Sequence, residues 1–227
     1  MDFLIWVYSG MFFFGIYFLL FFVVLHIHHR KDLNYYPEPK RFPTVSFLIP
    51  AYNEELVIAE TITSLLELEY PADKKEIIVI NDGSKDNTLN IINEFVSKYD
   101  EVKVLNKSNS GKADSLNKAI AIAKGEFVAV VDADSRPSKQ ALLQMIGYFD
   151  EDSKVAAVTS KVWVKNKNKF IERFQEVDYA VIAWSRKILD FIGAVYVTNG
   201  PFSVYRKDTL KEVGGFDPRN MTEDIDL

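Results

Sequence analysis

The stretch VAVVDADSRP, residues 128–137, carries a run of small and β-branched apolar residues straight into two carboxylates, Asp132 and Asp134, one residue apart. An unbroken apolar run of this kind fits a strand buried on both faces, as in a parallel sheet covered by helices. The two acids then stand where the strand stops. Alternate strand residues point to opposite faces, but at a turn both acids of D-x-D can reach one ligand, one through a divalent cation and one through a hydroxyl. The same residues also read as a helix start, with Asp134 or Ser135 capping SRPSKQALLQ and Pro137 in the first turn. Both readings stand at this level.

Outward from this stretch, similar apolar runs recur at VSFLIP (45–50), EIIVIND (76–82), VKVLN (102–106) and VAAVTS (155–160). The segments between them space their apolar residues by three and four, so strands alternate with helices and the fold class is α/β. Past residue 165 the pattern changes. NKFIERFQEVDYAVIAWSRKILDFI reads as one long amphipathic helix, and VTNGPFSVYR as a Gly-Pro loop feeding a further strand.

Composition narrows the chemistry. The 227 residues are 48% apolar, enough for a substantial core, and a net charge of -5 argues against a general binder of nucleic-acid backbones. There is no cysteine, so any metal must be held by oxygen or imidazole and hard cations are the default; magnesium or manganese bridging a diphosphate fits the carboxylates of Asp82, Asp132 and Asp134.

Residues 3–25, FLIWVYSGMFFFGIYFLLFFVVL, hold no charge and exceed the about 20 residues that cross a bilayer core as a helix. No basic n-region or small-residue cleavage site marks a removable signal. Arg30, Lys31, Lys40 and Arg41 follow the span and only Asp2 precedes it, which places the N-terminus outside and the remainder in the cytoplasm. The expected organisation is a transmembrane helix and flank over 1–29, a proline-containing linker over 30–43, and one domain over 44–227.

In open α/β sheets ligands sit at the carboxyl ends of the strands. The runs exit into PAYNEE (50–55), NDGSKDN (81–87), NKSNSGK (106–112) and DADS (132–135), while neither GxGxxG nor GxxxxGK[ST] occurs. Lys112 follows Gly111 at a helix start, where backbone N–H groups favour anions; a solvated surface lysine is the plainer reading. Near the end, Glu223 and Asp224 stand in MTEDIDL, where first-turn acids capped by Asn220 explain them equally well.

Taken in order, PAYNEE, NDGS, SGKADSLN, DAD and TED resemble the family 2 glycosyltransferases over residues 44–227. The membrane span followed by this domain is similar to the processive branch, the cellulose, chitin, hyaluronan and poly-N-acetylglucosamine synthases, and VTNGPFSVYRK resembles the hyaluronan and chitin types. The resemblance implies a Rossmann-like GT-A domain that binds a UDP-sugar, with Ala51, Tyr52 and Glu54 around base and ribose and Asp82 on the uracil. It implies Lys112 toward the diphosphate, Asp132 on the donor sugar or ribose, Asp134 on magnesium or manganese, and Asp224 as general base. Gln175, Asp178 and Tyr179 resemble a QxxEY segment, and Gln175 and Asp178 with Asn199 and Gly200 fall on the acceptor side.

The implied activity is inverting transfer of an N-acetylglucosamine- or glucose-type unit to a growing β-linked polysaccharide. Transfer of one sugar to a lipid-linked acceptor, or a silent nucleotide-sensing membrane subunit, are the alternatives. The processive branch carries a QxxRW motif and further membrane helices beyond TED, so the domain is expected to be C-terminally incomplete at Leu227.

Overall fold

The computed structural model describes residues 2–165, 169–195, 197–198 and 200–219. They fall into two units, residues 1–35 with 161–195 and residues 36–160 with 196–227.

The second unit is built on a six-stranded sheet. β1 (Val45–Ala51), β2 (Lys75–Asp82), β3 (Val102–Lys107) and β4 (Phe127–Val131) run parallel in the order β3-β2-β1-β4. β6 (Phe202–Arg206) pairs antiparallel with β4, and β5 (Ala157–Thr159) pairs antiparallel with β6 at the edge. The sheet is therefore mixed, whereas the apolar runs alone favoured parallel strands. β5 still points the same way as the first four, and only β6 is reversed, since it lies between two strands that are parallel to each other.

Pleat alternation divides the core. Phe47, Ile49, Ile77, Val79, Phe127, Ala129 and Val131 face α2 (Ile58–Leu66), α3 (Thr88–Val96) and α5 (Ala141–Glu151). Leu48, Ile78, Ile80, Val128 and Val130 face the other way, onto α4 (Lys112–Ile122) and Leu210 of α7 (Lys207–Glu212). Both faces are covered, which is why the central strands are apolar at nearly every position.

Residues 36–43 are bound to this unit. Pro37 and Pro43 are buried, Lys40 N–H donates to Asp150 Oδ2 at 2.9 Å, and the Arg41 guanidinium makes a two-pronged pair with Glu126. Tyr70 donates its hydroxyl to the Pro43 carbonyl at 2.6 Å.

The first unit holds α1 (Asp2–His28) and α6 (Phe170–Asp190). The span Phe3–His28 is long and apolar enough to cross a membrane, with none of its most apolar window buried. Trp184 Nε1 donates to His26 Nδ1 at 3.0 Å, Phe22 lies against the Trp184 ring, and His29 stacks on Phe191 at 4.2 Å. The same stripe of α6 continues toward its N-terminus as Phe170, Ile171, Phe174, Val177 and Val181, all exposed.

Candidate functional site

The exits of the parallel strands meet in one row, with Ala51, Asn81 and Asn106 in register across β1, β2 and β3. Asn81 Nδ2 donates to Asn106 Oδ1 at 2.7 Å. At the end of β1, Ala51 is buried, Tyr52 is exposed, and Asn53 takes a left-handed conformation (φ 59°) that turns the chain. The loop after β1 is then locked to the loop after β2. Asn53 N–H donates to Ser84 Oγ at 3.0 Å, Lys85 N–H returns to Asn53 Oδ1 at 2.8 Å, and Glu54 N–H donates to Thr88 Oγ1 at 2.8 Å. Asp86 accepts from the N–H groups of both Glu55 and Thr88, so the turn that starts α3 also fixes Glu54.

Asp82 ends β2 nearly buried. It accepts the N–H groups of Ser110 at 2.9 Å and Gly111 at 3.0 Å, and it pairs with the Lys107 ammonium. Gly83 (φ 73°) packs so closely under this loop that a Cβ there would come within 2.8 Å of the Asn109 nitrogen. The loop between β3 and α4 is thus held by Asp82, and it delivers Lys112 to the N-terminus of α4.

Asp132 and Asp134 lie in a turn, closed by Ser135 N–H donating to the Asp132 carbonyl at 3.0 Å. Thr61 of α2 ties the turn down through its hydroxyl on the Ala133 carbonyl at 2.6 Å. The helix-cap reading fails here: α5 begins at Ala141 with Gln140 at its N-cap, so Asp134, Ser135 and Pro137 start no helix. Asp132 is half-buried with Oδ1 2.9 Å from Lys112 Nζ, and Asp134 is exposed.

Burial pushes the Glu54 carboxyl up from its ordinary value, and the charges of Asp134, Asp86 and Asp132 push it further. An edge on which acids repel one another, with hard oxygen donors throughout, suits a divalent cation. Among the described residues no three acids or histidines form a complete metal cluster. With Asp132 engaged by Lys112, the donor set fits an ion held by Asp134 and otherwise by phosphate oxygens and water, the usual manner for magnesium.

The structure brings Ala51, Tyr52, Glu54, Asp82, Lys112, Asp132 and Asp134 to the loops of this one edge. Gly200 adjoins it, since the next residue, Pro201, accepts the Asp132 N–H at 3.3 Å. Asn199 and Asp224 lie outside the described residues. Gln175, Asp178 and Tyr179 are exposed on one face of α6 in the first unit. Asn117 of α4 exchanges two hydrogen bonds with the Phe216 backbone, 2.7 and 2.9 Å, which anchors the segment leading toward residue 220 on the helix that carries Lys112.

Sequence reasoning missed Lys107, Asp86, Thr61 and Thr88. Asp86 and Thr88 carry a helix-start signal in SKDNT that could have marked them. Lys107 becomes visible only through register, because it stands directly opposite Asp82.

Residues 46–214 match the family model described as Glycosyl transferase family 2. A poly-beta-1,6-N-acetyl-D-glucosamine synthase of Staphylococcus epidermidis is 39% identical over 189 residues, 83% of this chain and 45% of the relative. A second, from strain RP62A, is 34% identical over 96% of this chain and 55% of its own length. The chain spans about half the length of the curated relatives it matches. Among solved structures, a mannosyltransferase from Pyrobaculum calidifontis in complex with GDP-Man and Mn2+ superposes with a TM-score of 0.69 at 24% identity, covering 92% of this chain and 57% of that one. S. aureus TarS 1-349 in complex with UDP-GlcNAc gives 0.58 at 25% identity, covering 77% of this chain and 48% of that one. Both share the GT-A fold described above.

Proposed function

Because the chain belongs to glycosyl transferase family 2, we propose that it is the donor-binding part of a membrane-anchored inverting glycosyltransferase, one that transfers a sugar from a UDP-sugar to a growing β-linked polysaccharide. The observation that carries this is the meeting of the Lys112 cation and the Asp132 carboxylate, 2.9 Å apart, at an edge already rich in acids. An isolated surface lysine needs no such company. N-acetylglucosamine is the favoured sugar, since relatives of 34–39% identity are named for its polymer.

In this reading Ala51, Tyr52 and Glu54 flank the base and ribose, and Asp82 accepts from the uracil. Lys112 offers its charge to the diphosphate together with the first N–H groups of α4, where an anion is favoured. Asp132 holds the donor sugar or ribose through its hydroxyls. Asp134 would hold a magnesium or manganese ion, which would supply positive charge against the diphosphate leaving group. Asp224, assigned by the TED resemblance, takes the proton of an acceptor hydroxyl as that oxygen attacks the anomeric carbon from the face opposite UDP, inverting it. This needs the carboxylate within about 2.6–3.2 Å of the hydroxyl. Gln175, Asp178, Asn199 and Gly200 fall to the acceptor side, toward a polysaccharide or lipid-linked acceptor.

α1 anchors the protein with its basic flank, and so this domain, in the cytoplasm. The exposed apolar stripe of α6 supports membrane attachment, because it continues the surface that Trp184 and Phe191 place against the C-terminal end of α1.

The test is a thermal-shift panel of UDP-sugars with and without manganese, repeated on Asp134→Ala. A ligand bound only by the folded state raises the midpoint, and at about 100 times Kd it adds about 2.7 kcal/mol. A shift that requires UDP, manganese and Asp134 together is the expected result. No response to any nucleotide would overturn the donor reading.

A further inference from the structure

The least solvated cation near the candidate site is Lys107, whose side chain is 9% exposed beside an Asp82 side chain that is 6% exposed. The two are register partners at the ends of β3 and β2. Lys107 Nζ also donates to the Ser108 carbonyl at 3.2 Å and to Ser110 Oγ, and it lies 3.7 Å from Asp114. A carboxylate offers about four acceptor positions, two per oxygen. On Asp82, Lys107 and the Ser110 N–H occupy Oδ1 and the Gly111 N–H takes one position of Oδ2. Among the described residues this leaves one acceptor position, on Oδ2.

We infer that Lys107 is a specificity-determining positioning residue: it fixes the Asp82 carboxylate so that its one remaining acceptor position selects a uracil N3–H. The inference rests on the UDP-sugar reading above and deepens it. Uracil presents an N–H at N3, whereas cytosine presents a lone pair there, so a held carboxylate accepts from the first and repels the second. A site built to satisfy a ligand N–H discriminates strongly against an analogue lacking it, because its own buried group is left unpaired. Lys107 supplies the counter-charge that a nearly buried carboxylate requires, and it ties the Ser108–Ser110 loop to that carboxylate. Removing the ammonium leaves Asp82 held by the Ser110 and Gly111 N–H groups of a loop that has lost its own tie to Lys107, so carboxylate and loop can shift together and the base contact loses its direction.

The test is calorimetric titration of the full chain with UDP and with CDP, each with manganese, for the unsubstituted protein, Lys107→Met and Lys107→Arg. The expected result is a preference for UDP of about tenfold or more, retained by Lys107→Arg and reduced to less than about threefold by Lys107→Met, with CDP affinity little changed. Proportional loss of both nucleotides in Lys107→Met would mean that Lys107 only supports the fold, and that overturns the inference. So does an undiminished UDP preference. Should Lys107→Met not fold, Asp82→Asn/Lys107→Met, which removes both charges, is compared with Asp82→Asn: equal preferences support the inference, and a further loss in the double variant overturns it. An unsubstituted protein that binds both nucleotides alike overturns this inference and leaves the donor reading standing. One that binds neither overturns both.

Discussion

Lys112 Nζ lies 2.9 Å from Asp132 Oδ1, joining the first residue of α4 to the exit of β4. Both side chains keep about a third of their surface in water, 31% and 28%. A pair so exposed contributes only about 0–1 kcal/mol, so stability gives little reason for it. Lys112→Ala should therefore change the free energy of urea unfolding by less than about 1 kcal/mol. UDP affinity, in contrast, should fall markedly while uridine affinity holds, because in the proposed donor site the lost charge would face the diphosphate. Equal weakening of UDP and uridine would remove Lys112 from the phosphate role.

Glu54 pays in stability for its place in the acidic edge. Burial raises its carboxyl above the ordinary 4.5, with Asp134, Asp86 and Asp132 adding to the shift. A carboxyl raised in the folded state is more readily ionised in the unfolded chain, so stability falls as pH climbs from about 4.5 through the raised folded value. Glu54→Gln should accordingly be more stable than the unsubstituted protein in urea at pH 7 and indistinguishable below pH 4, where both states are protonated. The same substitution should weaken UDP-sugar binding. A gain in stability that persists unchanged at low pH would show that charge is not its cause.

The α/β class and the strand ends were legible because buried strands must be apolar and their exits must carry the polar work. VAVV and IIVI mark β4 and β2 by this rule alone. The reversal of β6 was not legible, since FSVYR has the same alternation whichever way it runs, and direction is set by pairing with β4. The helix-cap reading of DADS failed because local caps are common signals, and six residues, 135–140, separate Asp134 from α5. Lys107 escaped notice for a related reason. A lysine in NKSNSGK looks solvated until the register of β2 and β3 sets it against Asp82.

The stripe Phe170, Phe174, Val177 and Val181 on α6 should lie in the lipid interface if α1 spans the bilayer. The chain has no cysteine, so single labels report cleanly. In proteoliposomes a nitroxide at Phe174→Cys should be open to oxygen and shielded from a water-soluble nickel chelate, whereas one at Glu176→Cys should show the reverse. A Phe174 label as accessible to nickel as the Glu176 label would place the stripe in water.

Residues 36–43 enter the domain as a fitted strap, and Gly147 of α5 is where they press closest. A Cβ at that position would lie 1.8 Å from the Pro37 carbonyl oxygen and 2.6 Å from its carbon. Helix propensity alone would make Gly147→Ala stabilising by about 1 kcal/mol. The contact is with backbone, and that backbone is held at Lys40, Arg41 and Pro43, so it has little room to withdraw. Overpacking of this kind costs about 1–3 kcal/mol, which exceeds the propensity gain. Gly147→Ala should therefore lower the unfolding midpoint, and Arg41→Ala, by loosening the strap, should reduce that penalty when the two are combined. The check is a double-mutant cycle in urea. Strictly additive effects would mean that the strap is free to move and that Gly147 is not what holds its path.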